Sequence, residues 1–170
     1  MDVASVMAGP VHIEGSLDAS GRRFGIVAAR FNDHLVHRLL DGAVECLLRH
    51  GASADSITIV RVPGAWEVPQ ALDALAEKRE DDALIAIAVV IRGGTPHFEH
   101  IAAGCTQGVA RVAAQRQVPV AFGVLTCDST EQAQERAGGK AGNKGWEAAL
   151  AAIEMADLYA CLATGGDAGA

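Results

Sequence analysis

The chain has 170 residues, half of them hydrophobic and 21% charged, a size and balance that fit one ordinary globular domain and exclude wholesale disorder. Fourteen Lys and Arg against twenty-one Asp and Glu leave a net charge of -7, which argues against non-specific nucleic-acid binding and against an anionic membrane surface. Aromatic residues make up only 4%, so the core is expected to be built from small aliphatic side chains. The longest apolar run, Ala83–Ile91, is too short to span a bilayer as a helix. Met1–Pro10 carries no Lys or Arg and no long apolar stretch, so no secretory signal is expected. Cys46, Cys105, Cys127 and Cys161 are scattered without a Cys-x-x-Cys, which reads as small buried hydrophobes or idle thiols of a reducing compartment and hence a cytoplasmic protein.

Val11–Leu17 alternates weakly and ends at Asp18-Ala-Ser-Gly21. Arg23–Ala29 reads as a strand, after which Asn32 and Asp33 should cap a helix whose apolar residues recur from Leu35 to Leu48 and which Gly51 stops. Ile57–Val62 is the second strand, broken by Pro63-Gly64, with a helix from about Glu67 that tolerates Pro69 in its first turn. Ala83–Ile91 is almost pure Ala, Val, Leu and Ile, as expected of a central parallel strand buried on both faces. Arg92–Pro96 then leads into a long helix to about Gln117, with Thr95 as N-cap and Pro96 as first helical residue. Val118–Thr126 is the fourth strand, and Ser129 and Gln132 have capping-box spacing for a short helix to Ala137. Gly138–Gly145 is a glycine-rich elbow before a final amphipathic helix, Lys144–Ala163. Alternating strands and helices specify an α/β layer fold around a parallel sheet.

Ligands of such sheets bind outside the carboxyl ends of the strands. Four loops carry the chemically unusual residues there: Arg30-Phe31-Asn32, Pro63 to Glu67, Arg92 to His97, and Thr126 to Ser129. All four are expected to converge on one pocket. Gly93, Gly94 and Thr95 at a helix N-terminus would suit an anion such as phosphate, although the same residues serve an ordinary capped turn. No Walker loop and no Gly-x-Gly-x-x-Gly after the first strand occurs. His97, in the first turn beside that anion, is suited to proton exchange, or is a capping histidine. The pairs His97/His100 and His34/His37 share helical faces but sit in no zinc-ligand pattern, so no metal is assigned. Phe31 could stack on a planar heterocycle or be a core ring, and Trp66 and Glu67 offer a ring and a carboxylate unless Glu67 is simply a helix N-terminal charge. A glycine such as Gly123 beside Phe122 inside a strand often marks close approach by a ligand or another backbone. Arg136 and Lys144 flank the elbow and could grip a phosphate, or be plain solvated charges.

Ile13-Glu-Gly15, Ala29-Arg-Phe-Asn32, Val62-Pro-Gly-Ala-Trp-Glu-Val-Pro69, Val90-Ile-Arg-Gly-Gly-Thr-Pro-His-Phe98, Pro119 to Thr126, and Glu131-Gln-Ala with Arg136-Ala-Gly and Gly142-Asn-Lys-Gly145 follow one another in order. Together, from about residue 11 to 160, they resemble the 6,7-dimethyl-8-ribityllumazine synthase family of riboflavin biosynthesis. The resemblance implies a flavodoxin-like three-layer sandwich: a four-stranded parallel sheet with helices on both faces, spanning 21–163 between an N-terminal arm, 1–20, and a flexible tail, 164–170. It implies condensation of 5-amino-6-(D-ribitylamino)uracil with 3,4-dihydroxy-2-butanone 4-phosphate and no cofactor. Phe31 would stack on the pyrimidine, Ala65, Trp66 and Glu67 would line its ribityl side, and Val89, Val90 and Ile91 would run along the ring edge. Gly94 and Thr95 would hold the phosphate with Arg136, His97 would donate the proton, and Phe122 would close the ring pocket. Asn32 and Lys144 are further candidates.

In that family the site lies between subunits of a pentamer, with Phe122 and Arg136 supplied by the neighbour, and the arm's Val11–Leu17 pairing with a neighbouring sheet edge. The compact elbow resembles that of members that build sixty-subunit icosahedral shells; riboflavin synthase is a candidate partner. Trp66 stands where phenylalanine is usual, Ala88 where glycine is frequent and His100 where tyrosine is common; none removes a proposed chemical group. A non-catalytic flavin- or lumazine-binding or shell-forming member would keep Phe31 but have no use for His97 and Arg136 together. A metal-dependent hydrolase built on His97 and His100 is the other alternative, separable by its response to a chelator.

Overall fold

Continuous apolar runs and helical periodicity are realised almost element for element in the structure, a computed structural model that describes residues 10–78 and 80–164. Strand β1 (Phe24–Ala29) is buried throughout and leads to α1 (Asp33–Arg49); β2 (Ile57–Val62) is half-exposed and leads to α2 (Val68–Lys78). Then come β3 (Ala83–Ile91), α3 (His97–Arg116), β4 (Val120–Cys127) and the short α4 (Thr130–Arg136). A small antiparallel hairpin, β5 (Ala137–Gly139) and β6 (Gly142–Asn143), occupies the glycine-rich elbow before α5 (Lys144–Ala163).

The sheet order is β2-β1-β3-β4, all parallel, a flavodoxin-like arrangement. Alternate residues of each central strand feed two cores. Phe24, Ile26, Ile85 and Ile87 pack with Leu35, Leu39, Leu47 and Ile153 of α1 and α5; Val27, Leu84 and Ala86 pack with Leu72, Val109 and Val112 of α2 and α3. Each large side chain so buried contributes roughly 1.5–3 kcal/mol. The sheet's smaller residues let helices approach closely. Helix α5 meets α1 at Gly145, which lies against the Leu39 carbonyl, where any side chain would overlap it. Asn143 fastens the same crossing, accepting from Gly145 N–H at 2.9 Å and donating to the Arg38 carbonyl at 2.8 Å.

Several local expectations shift. Asn32 precedes α1 in a left-handed conformation, φ 59°, and its side chain makes no cap. Thr95 is not the N-cap of α3: the helix starts at His97, with Pro96 in the cap position, because the Pro96 carbonyl already accepts from Glu99 N–H at 2.9 Å. The helix after β2 opens as a 3-10 turn, Ala65–Glu67, and becomes α-helical only at Val68. β4 begins at Val120 instead of Val118, Pro119 having no N–H to give a ladder. The Ser129 hydroxyl does accept from Gln132 N–H, but the Gln132 side chain reaches Asp128 N–H, one residue short of a reciprocal box. Gly51 takes the left-handed stop after α1, φ 101°.

Residues 10–17 form no strand within this chain; Gly15 lies on the Glu154 carbonyl and Ser16 N–H donates to Asp157 of α5 at 2.8 Å. The first nine residues of the expected arm, and the expected tail beyond residue 164, lie outside the described residues.

Candidate active site

Where β1 ends, the chain is held on both sides. Arg30 N–H and Phe31 N–H continue the ladder onto β2's exit, to the carbonyls of Val62 and Pro63 at 2.7 and 3.0 Å. On the other side Asn32 turns into the left-handed region and its Nδ2 donates to the Val89 carbonyl of β3 at 2.8 Å. The turn projects Phe31, whose ring is 72% exposed. Arg61 grips the loop from β2, donating to the Ala29 carbonyl at 3.2 Å and to the Asp33 carboxylate, which it holds below the ordinary carboxyl range.

After β2, the 3-10 turn Ala65–Glu67 buries Ala65 and leaves Trp66 half-exposed, its six-membered ring lying over Gly104 of α3. Gly64 is extended, and a Cβ there would stand 3.2 Å from a Glu67 carboxylate oxygen, so the glycine leaves that carboxylate its room. Gly108, one turn along α3, likewise receives Pro69.

After β3, neither Gly93 nor Gly94 has a neighbour within 4 Å of a would-be Cβ, and neither adopts positive φ. Packing and backbone strain thus give no reason for glycine there; unobstructed approach to the backbone does. His97 opens α3, whose N-terminus favours negative charge; Glu99 N–H is taken by the Pro96 carbonyl, which leaves the amides of His97 and Phe98 as the ones a helix start lacks acceptors for. Arg92 turns the other way: Nε meets Asp128 at 2.7 Å, Nη1 meets Glu99 at 3.0 Å, and the guanidinium covers the Phe98 ring at 4.6 Å. The two carboxylates raise its already high pKa, so its charge is permanent and already paired.

These three loops enclose a cleft of about 510 Å³, within the range of small-molecule sites. Of the residues expected at the site, Phe31, Ala65, Trp66, Glu67, Val89, Val90, Ile91, Thr95 and His97 line it. Gly93 takes the place expected for Gly94, which sits one residue on in the same exposed turn. The fourth loop does not join. Thr126 and Asp128 open instead on a shallow hollow with Arg92, Phe98 and Thr106, because β4 is an edge strand. Phe122 is level with Ala86, three residues and about 10 Å short of the cleft, on the same edge. Arg136, its guanidinium donating to the Gln132 carbonyl at 3.0 Å, and Lys144, paired with Glu147, also lie outside the cleft of their own chain. Asn32 forms no part of the lining surface. Phe98 and Ile101 were not anticipated; Ile101 could have been, since it shares a helical face with His97 at i+4. Among the described residues no cluster of three His, Cys, Asp or Glu side chains is placed to hold a metal ion, and no helix is long and apolar enough to cross a membrane. Cys105 and Cys46 are buried thiols pushed up to about 11 by desolvation.

Residues 21–160 match the family model described as 6,7-dimethyl-8-ribityllumazine synthase. The chain belongs to that family. The lumazine synthase of Aquifex aeolicus is 57% identical over 149 residues, covering 88% of this chain and 97% of that protein. Those of Chlorobaculum tepidum and Chlorobaculum parvum are 54% and 53% identical over 148 residues, covering 87% of this chain in each case and 96% and 95% of the relatives. The lumazine synthase match begins at Gly21, just before β1, and runs into α5, so the whole cleft falls inside it. It is an enzyme family, and the similarity spans most of this chain and nearly the whole of the relatives.

Proposed function

We propose that the protein joins 5-amino-6-(D-ribitylamino)uracil to 3,4-dihydroxy-2-butanone 4-phosphate, giving 6,7-dimethyl-8-ribityllumazine, phosphate and water, the penultimate step of riboflavin biosynthesis. The observation that carries this reading is the single cleft shared by an exposed aromatic ring, Phe31, the end of β3, and the helix N-terminus bearing His97. Phe31 stacks on the pyrimidine. Ile91 has the parity of Val89, so its backbone faces the side where β1 has already ended and offers hydrogen bonds to the ring edge there, while Val89 and Val90 line the same wall. Ala65, Trp66 and Glu67 take the ribityl chain. The open backbone of Gly93, Gly94 and Thr95 at the start of α3 receives the phosphate.

The amine of the pyrimidine adds to the ketone and water leaves to form an imine; phosphate is then eliminated, and the enol left behind becomes a carbonyl, to which the ribityl-bearing nitrogen adds, loss of a second water completing the second ring. Every step is an addition, an elimination or a proton transfer, so we assign no cofactor. Holding the two reactants together can supply roughly 7–11 kcal/mol of the barrier. His97, as proton donor and acceptor, supplies a further factor of roughly 100 to 10,000.

The active form in this reading is a pentamer, assembled further into a sixty-subunit shell, in which Phe122 closes the ring pocket and Arg136 clamps the phosphate of the adjacent copy, with Lys144 nearby. Three observations support it. The lining of the cleft carries no Lys or Arg, although an anion must be held there. Phe122, Met155 and Tyr159 form exposed apolar surface beside the β4 edge. The β2 edge, with Ile59 exposed, is unpaired among the described residues and suits pairing with Val11–Leu17 of a neighbour. The protein works in the cytoplasm, and riboflavin synthase, which would consume the product, is its candidate partner. Absorbance and fluorescence of the purified protein with both substrates, chelator present, test the activity. Lumazine forming well above the spontaneous rate establishes the reaction; no acceleration by folded, assembled protein leaves a binding or shell-forming role.

A further inference from the structure

We propose that Asn32 is a positioning residue, which sets the distance between the stacking wall and the ring-edge wall of the cleft without touching substrate. The inference rests on the reading of that cleft as the aminopyrimidine site. The β1–β3 register ends at Ala28 and Ile87, so at Val89 the sheet has no further β1 backbone to offer. In a longer strand the amide of residue 31 would have continued that ladder, but Phe31 N–H is already committed to Pro63 on the opposite side. The Asn32 side chain replaces it, donating to the Val89 carbonyl at 2.8 Å. One amide therefore ties the loop that projects Phe31 to the strand end that meets the ring edge.

The backbone at this position explains why asparagine serves. At φ 59° and ψ 42° the residue lies in the left-handed region, open to Gly and tolerated by Asn and Asp. Glycine meets the backbone requirement but has no donor. Aspartate meets it with the right size but presents a carboxylate oxygen to a carbonyl oxygen. Only asparagine of the three both turns the chain and closes the bond. Arg61 secures the other end of the turn through the Ala29 carbonyl and Asp33, so losing the Asn32 amide frees one side of the loop without releasing it.

Asn32→Gly and Asn32→Asp therefore separate the hydrogen bond from the fold. Both variants, assayed as the assembled full-length protein, should keep the wild-type thermal midpoint within a few degrees. The KM for the aminopyrimidine, and its Kd read from quenching of tryptophan fluorescence, should rise by about tenfold in Asn32→Gly and further in Asn32→Asp. The KM for the four-carbon phosphate should stay within about twofold in both. Unchanged aminopyrimidine KM in both variants overturns the proposal. So does an equal loss for both substrates that tracks a falling thermal midpoint, since a purely structural residue behaves that way. Wild-type protein that makes no lumazine overturns the functional reading, and this inference with it; wild-type turnover with insensitive variants overturns this inference alone.

Discussion

Trp66 and Gly104 fit together as one surface: the indole lies over the glycine so closely that a methyl group at 104 would overlap its six-membered ring. The ring is half-exposed and lines the cleft, whereas Gly104 does not reach it. A residue outside the site thereby sets the orientation of one inside it.

Gly104→Ala should consequently push the Trp66 ring toward the cleft. Alanine gains about 1 kcal/mol of helix propensity over glycine in the middle of α3, so stability should not fall, because an exposed ring can move away. In a Trp146→Phe background, which leaves Trp66 as the sole tryptophan, its emission maximum should shift and the KM for the aminopyrimidine should rise several-fold. Unaltered emission and KM would mean that the ring adjusts without cost to the site.

His97→Ala should slow turnover by about 100-fold or more while leaving assembly and thermal midpoint intact, since His97 is an exposed residue at the start of a helix. Steady-state rates with sedimentation on the same sample check both halves. An undiminished kcat removes His97 from the mechanism.

For Arg136→Ala the expectation is selective. Loss of a charge-assisted clamp should raise the KM for the four-carbon phosphate about 10- to 100-fold and that for the aminopyrimidine far less. A matching rise for both substrates would argue against the phosphate role.

Asp157 links the chain before β1 to α5. It accepts from Ser16 N–H at 2.8 Å and from Arg22 Nη2 at 2.6 Å, and these bonds hold its carboxyl below the ordinary value of 3.8. A carboxyl depressed by folding contributes stability that is complete above its unfolded value and lost as pH falls through the folded one. Asp157→Asn should lower the thermal midpoint at pH 7 by about 2–4 °C. Below about pH 4 the melting curves of the two proteins should converge. A constant gap across the acid range would place the effect in packing instead of charge.

Much of the fold was legible because its signals are local. β2, β3 and α5 occupy the expected residues, since an unbroken apolar run or a capped periodic stretch is decided by side chains within a turn or two of each other. The misreadings are local competitions. Thr95 lost the cap of α3 to a backbone bond that Glu99 N–H donates to the Pro96 carbonyl, and the Asn32 side chain left its helix for a strand 57 residues away. Nothing in the neighbourhood of Asn32 announces that partner.

The sequence by itself determined the order of the elements, the doubly buried central strand and, through its ordered motifs, the family. Which loops meet was decided only by the tertiary structure. Strand order placed β1 between β2 and β3, so the loops after these three strands share a cleft, and placed β4 at the edge, so its loop, Phe122 and Arg136 fall outside. Periodicity and capping act over a few residues, but neighbourhood in a parallel sheet is a choice among crossovers. That choice depends on how two faces of apolar surface are covered at once.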